Sequence, residues 1–430
     1  MKKSILVGLF FLLAKSILAQ EQQSLLQNMS TIFSEIKTAT KNGEQLWNKN
    51  LYAPIILVDP KTRQVFANEP DSVGMLKPIG SMFSGILPAH LNIANTAVDF
   101  NGKKWAMIML PLAANEQDRI KLLAHELFHV AQPALGFALH NPNNNHLDQK
   151  NGRVYLRLEL AALQKAVQST TKKELKKHLT NAMIFRKYRH HRYPGADSTE
   201  NLLEMNEGMA EFTGVTISRR ADKQLKDHFI QEHNNFLINP TFVRSFAYQT
   251  IPVYGYLLYG TNKNWNKTIS PQTNLTAYFA QAFDIDIPID LQKAVEELAG
   301  SYQGELILQQ ETEREEKTTK LIAAYQLKFI EQAHLEIQFT KMNVSFDPRN
   351  IVPIADQGTF YPKIRVTDLW GILTVENGAL MAAGWDKISI TLPTMIAGKK
   401  ITGDGWLLEL NDGYGLQQNE ADGNYKLIKK

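Results

Sequence analysis

DRIKLLAHELFHVAQ, residues 118–132, sets Leu122, Leu123, Leu127, Phe128 and Val130 around His125, Glu126 and His129. Apolar residues nearly all round a helical repeat describe a buried helix. Histidines four apart share one side of such a helix, close enough for two imidazole nitrogens to reach one zinc ion. Glu126 stands beside them, placed to take a proton from water on that metal and to return it to a leaving amine, which is the chemistry of peptide hydrolysis. The pattern H-E-x-x-H arises by chance in about two chains in a hundred of this composition. Its setting is a second argument: two histidines and a glutamate on a buried helix need partners to offset their desolvation, and a metal is one.

Upstream of this helix, PIILVDPKTRQVFAN (54–68) has two apolar runs about a polar turn, and TAVDFNGKKWAMIML (96–110) has two more about Asn101-Gly102, a hairpin signal. Strands therefore precede the helix. Before them, Leu25, Met29, Phe33 and Ile36 keep helical spacing, with Asn42-Gly43 as a stop. From Asp118 to about Gln332 the pattern is helical, broken by HNPNNNH (140–146), RYPGAD (192–197) and the segment 262–271. After Asn343, short runs such as FYPKIRV, WGILTV, ISITL and WLLEL alternate with Asn377-Gly378, Asp404-Gly405 and Asp412-Gly413, the texture of a small all-β domain.

The 430 residues leave room for two or three domains, and 44% hydrophobic with 21% charged residues describes a globular chain able to bury a core. A formal charge of +4 is too dilute to imply nucleic acid. MKKSILVGLFFLLAKSILAQ opens with two lysines, an apolar run from Ile5 to Ala14 too short to span a bilayer, and Ala19 at a cleavage position. This reads as a signal peptide, 1–19, directing the chain to the periplasm or outside the cell, with no stable membrane insertion after cleavage; the alternative is an N-terminal membrane anchor, against which Lys15 interrupts the apolar run. With no cysteine, the chain has no disulfide and no thiolate ligand. Any metal must be held by His, Asp or Glu.

A catalytic zinc takes a third protein ligand, and ENLLEMNEGMAEFTG (200–214) offers Glu200, Glu204, Glu207 and Glu211 on one stripe. By itself the stripe also fits a solvated helix face, since Leu202, Met205, Met209 and Phe212 make an opposing apolar one. Glu159, in YLRLELAAL, is the rival ligand. HELFH followed by NEGMAE resembles the gluzincin metallopeptidases, the superfamily of thermolysin and aminopeptidase N. That resemblance implies Glu207 of Asn206-Glu207-Gly208 as the third ligand and Glu211 as the group that orients a ligand histidine. A mid-helix Gly208 costs about 1 kcal/mol against Ala and is tolerable where helices approach closely.

The likeness covers a few dozen residues, and the step of 78 positions from His129 to Glu207 exceeds the usual gap in those enzymes. No stretch matches the Gly-Ala-Met-Glu-Asn motif of aminopeptidase N, so aminopeptidase activity is not implied. The superfamily stabilises its oxyanion with Tyr or His. SFAYQTIPVYGYLLYG supplies Tyr248, Tyr254 and Tyr256, with His190, His191 and Tyr193 as further candidates and core packing as the alternative for each tyrosine. KYRHHR (187–192) is either a clamp for a substrate carboxylate or a solvated basic face. By resemblance, the strand in WAMIMLPL is an edge strand that would hold an extended peptide.

The expected fold is α+β, with a strand-containing lobe and a helical lobe, zinc at their junction, and a small all-β C-terminal domain. The expected divisions are a catalytic region 20–335, strand-rich over 50–112 and helical over 116–332, and a β-rich domain 336–430. The expected function is zinc-dependent hydrolysis of a peptide or protein substrate. His125, His129 and Glu207 would hold Zn2+, Glu126 would act as general base and acid, Glu211 would orient a ligand, and Tyr248 or Tyr254 would steady the oxyanion. Two other readings share these residues: an exported zinc-binding scaffold without turnover, for which Glu126 would have no use, and a zinc amidase acting on a cell-wall amide.

Overall fold

A computed structural model describes the backbone of residues 2–430 and the side chains of residue 20 and residues 23–430; the expected signal peptide, 1–19, lies outside the side chains described. The chain is α+β and divides into two compact units. Among the described residues no helix is long and apolar enough to cross a membrane.

The first unit comprises Met1–Leu87, Ile93–Leu135 and Thr213–Arg219. After α1 (Lys2–Asn42) it forms β1 (Ile55–Val58), β2 (Gln64–Ala67), β3 (Lys77–Ile79), β4 (Met82–Ile86), β5 (Thr96–Phe100) and β6 (Lys103–Met109) in one sheet of order β3-β4-β2-β1-β6-β5. The unbroken apolar run Ile55-Ile56-Leu57-Val58 is what a strand buried on both faces requires, and β1 is fully buried between β2 and β6. Asn101 and Gly102 both take positive φ, 47° and 80°, the pair of left-handed positions that a two-residue hairpin demands. The expected peptide-holding strand departs from its reading. β6 is paired on one side with β1 and on the other with β5, so its hydrogen-bonding edges are both used and β5 is the edge.

Helix α2 (Glu116–Ala131) follows, its first turn capped by Asn115, whose side chain accepts from the Asp118 N–H at 3.1 Å. Arg119 grips Glu35 of α1 with two hydrogen bonds of 2.7 and 3.1 Å, and Trp47 packs on Phe128 with ring centroids 5.4 Å apart. As its sequence requires, α2 is buried from Leu123 to His129.

The second unit comprises Pro88–Asn92, Gly136–Phe212 and Arg220–Lys430. Its helices are α3 (Lys150–Gln168), α4 (Lys172–Arg192), α5 (Ala196–Leu203), α6 (Met209–Ile217, shared with the first unit), α7 (Asp222–Leu237), α8 (Ala247–Tyr259), α9 (Leu275–Ala282), α10 (Leu291–Ala299) and α11 (Gly304–Gln326). Strands β7 (His334–Gln338), β8 (Asn343–Phe346), β9 (Val352–Ile354) and ten more to Lys429 form a seven-stranded and a six-stranded sheet. Leu335, Ile337 and Ile390 of the first sheet share one core with Val366, Leu373 and Leu408 of the second, so the C-terminal region is a β-sandwich. Its turns fall where the sequence marks them, with Gly378, Gly405 and Gly413 all at positive φ.

Buried His233 should make this unit acid-sensitive. His233 on α7 is 8% exposed, and burial, with Arg157 nearby, lowers its pKa to about 4. A base whose folded pKa is depressed takes up its proton in the unfolded chain first. Stability should therefore fall as the pH drops from about 6.5 to about 4, by roughly 3 kcal/mol at 1.36 kcal/mol per unit. Urea midpoints at pH 7 and pH 4.5 should differ less in His233→Leu than in the native chain; equal pH slopes would refute the assignment.

Candidate metal centre

The two histidines of HELFH are presented by α2 with exposures of 4% and 8%. Their Nε2 atoms face each other at 3.2 Å. His129 Nδ1 lies 2.8 Å from the Oε1 of Gln132, a fully buried side chain at the helix end. An amide oxygen only accepts, so Nδ1 carries the hydrogen and Nε2 is left with its lone pair aimed at His125. Two zinc-bound nitrogens at about 2.05 Å with tetrahedral angles stand about 3.3 Å apart. The observed 3.2 Å is close to that separation, and the contact with Gln132 fixes the tautomer of His129. Sequence reading passed over Gln132; its position three residues after His129, at the end of the helix, was the available signal.

The glutamate stripe does not lie on a solvated face. Between α5 and α6 the helix opens into a π turn, Glu204–Gly208, in which the Met209 N–H reaches back to the Glu204 carbonyl. One extra residue in the ladder shifts the face that every later residue presents. Glu200 and Glu204, fully buried, point into a charged cluster, while Glu207 is half-buried and has other partners. The Tyr248 hydroxyl donates to Glu207 Oε2 at 2.6 Å, and the Asn206 amide donates to Oε1 at 3.3 Å. The same amide donates to the His140 carbonyl at 3.1 Å, tying the loop after α2 to this turn. Glycine is required next to it: a Cβ on Gly208 would sit 2.8 Å from the Ile251 Cβ and 3.1 Å from the Ala247 carbonyl of α8. Glu211 is buried on α6, four residues on.

One ligand atom from each of His125, His129 and Glu207 falls in a group whose members all lie within 4.8 Å of one another, the one such group of His and acidic side chains found among the described residues.

Glu159, the rival ligand, is occupied elsewhere. Arg186 donates from Nε to Glu159 Oε1 at 2.8 Å and grips both oxygens of Glu204. Arg189 grips both oxygens of Glu200 at 2.8 and 2.7 Å and donates to Glu159 Oε2 at 2.8 Å. His146 and His190 also meet the two oxygens of Glu200, at 2.8 and 2.9 Å. Burial by itself would raise the Glu159 and Glu200 pKa values; the guanidinium groups more than offset it and hold both carboxyls below their usual range, Glu200 well below. This corrects the reading of KYRHHR as a solvated face or clamp at Arg189, which is fully buried; His191 and Arg192 of the stretch are exposed.

The tyrosines separate too. Tyr254 is fully buried and its hydroxyl donates to Glu159 at 3.0 Å, so it braces the charged cluster and is no oxyanion donor. Tyr256 donates to Asp222 on the exposed side of α8. Of the three, Tyr248 alone reaches a proposed ligand. Tyr193 stacks near His146, and His191 is exposed. No family model matches the chain, and no curated protein or solved structure matches it either.

Proposed function

We propose that the chain is an exported zinc peptidase of the gluzincin kind. The observation that carries the reading is the facing pair of Nε2 atoms 3.2 Å apart, with Gln132 fixing the tautomer of one of them. The reach of the third ligand fits as well. Gly214 of α6 lies so close to α2 that a Cβ there would stand 2.5 Å from the Lys121 carbonyl. Glu207 precedes Gly214 by seven residues, about 10 Å of helix, and His125 and His129 follow Lys121 by about 6 and 12 Å.

When bound, zinc supplies Lewis acidity to a peptide carbonyl and makes water acidic near neutral pH. His125, His129 and Glu207 would hold the ion. The Glu126 carboxylate, one residue along from His125, takes the proton of the attacking water and delivers it to the leaving nitrogen. Tyr248 donates its one hydroxyl hydrogen to the Glu207 carboxylate and would have to turn that hydrogen away from it to serve the oxyanion. With Gln132 on His129, Glu211 is assigned to the far N–H of His125.

Metal analysis tests this reading. The purified chain should carry about one zinc, and Glu211→Ala should weaken zinc affinity about 10- to 100-fold. Less than about a tenth of an equivalent after zinc loading of a folded sample would end the metallopeptidase assignment.

A further inference from the structure

In the second unit, α3, α11, the turn 237–240 and the edge strand β9 enclose a cavity of 640 Å³, the size that holds a small organic ligand. One wall is polar. Arg153, Arg157 and Arg314 all converge on Glu311, at 2.7, 2.7 and 2.8 Å, and Arg153 also meets Asp148 at 3.2 Å. Three guanidinium groups against two carboxylates leave one positive charge over. The Arg157 Nε–H is buried and has no acceptor.

The lining also includes the aliphatic side chains of Ile238, Leu321, Ile322, Ile351 and Val352. Ile238 is 82% exposed and Leu321 42% exposed, large side chains left in water beside a charged cluster. A positive end and a wet aliphatic lining together describe one ligand chemistry.

We propose that this cavity binds an aliphatic carboxylate, with its charge at Arg157 and its chain along Ile238 and Leu321. The site is independent of the zinc reading and stands or falls without it. Two sources share the chemistry: a fatty acid, and the C-terminal aliphatic residues of a peptide.

Calorimetric titration of the full chain distinguishes them, using octanoate, octanamide, and N-acetyl-Leu-Leu with a free or an amidated C-terminus. Each acid should bind at least about 10-fold more tightly than its neutral counterpart, the effect of one charge-assisted hydrogen bond. The tighter of octanoate and the free dipeptide names the source. Arg157→Gln should lower affinity for that acid by about 10-fold. Ile238→Asp, at a position the fold leaves in water, should lower it at least as much with an unchanged thermal midpoint, and decides the matter if Arg157→Gln does not fold. Equal binding of acid and amide, no heat from any of the four at about 1 mM, or unchanged affinity in Ile238→Asp would overturn the proposal.

Discussion

Glu126→Gln should keep its zinc and its fold while losing at least about 10²- to 10⁴-fold of hydrolytic turnover. Glutamine nearly preserves the shape of glutamate but cannot take a proton from water at neutral pH. The residue is 5% exposed on the buried stretch of α2, so the control is the thermal midpoint of the metal-free protein, which isolates packing from chemistry. A variant that retains more than about a tenth of native turnover on any peptide the native chain cleaves would show that Glu126 is not the base, even with zinc in place. A chain that binds zinc and cleaves nothing, with Glu126 intact, would instead favour the scaffold.

The second large effect separates ligands from structural acids. Glu207→Ala should lose most bound zinc and leave the metal-free midpoint almost unmoved, because Glu207 is half-buried and outside the charged cluster. Arg186→Met should do the reverse. It removes the guanidinium that grips Glu204 and half of Glu159, stranding buried carboxylates at a cost of about 3–5 kcal/mol, with zinc stoichiometry of the folded fraction unchanged. Glu159→Ala leaves Arg186 and Arg189 one carboxylate each, so it should cost less than Arg186→Met and keep the metal. Zinc loss in Glu159→Ala with zinc retained in Glu207→Ala would reverse the ligand assignment.

Local rules written in consecutive residues were enough for much of this chain. The IILV run marked a strand, Asn101-Gly102 set a hairpin, and the glycine turns after Asn343 set a β-rich end. The same holds for the shared side of His125 and His129, because four residues make about one helical turn. What spacing could not decide was the use made of four glutamates on one helix. Their roles depend on a π turn that breaks the periodicity and on arginines that reach them from another helix. Arg186 and Arg189 stand among Met183, Ile184, Phe185 and Tyr188, and Glu159 among Leu158 and Leu160, so charges set in apolar runs hinted at burial. Which acid met which base was a matter of distances across the fold. Tyr254 joined that cluster and Tyr248 met Glu207 for the same reason: six residues apart on α8, they face different neighbours, and only packing says which.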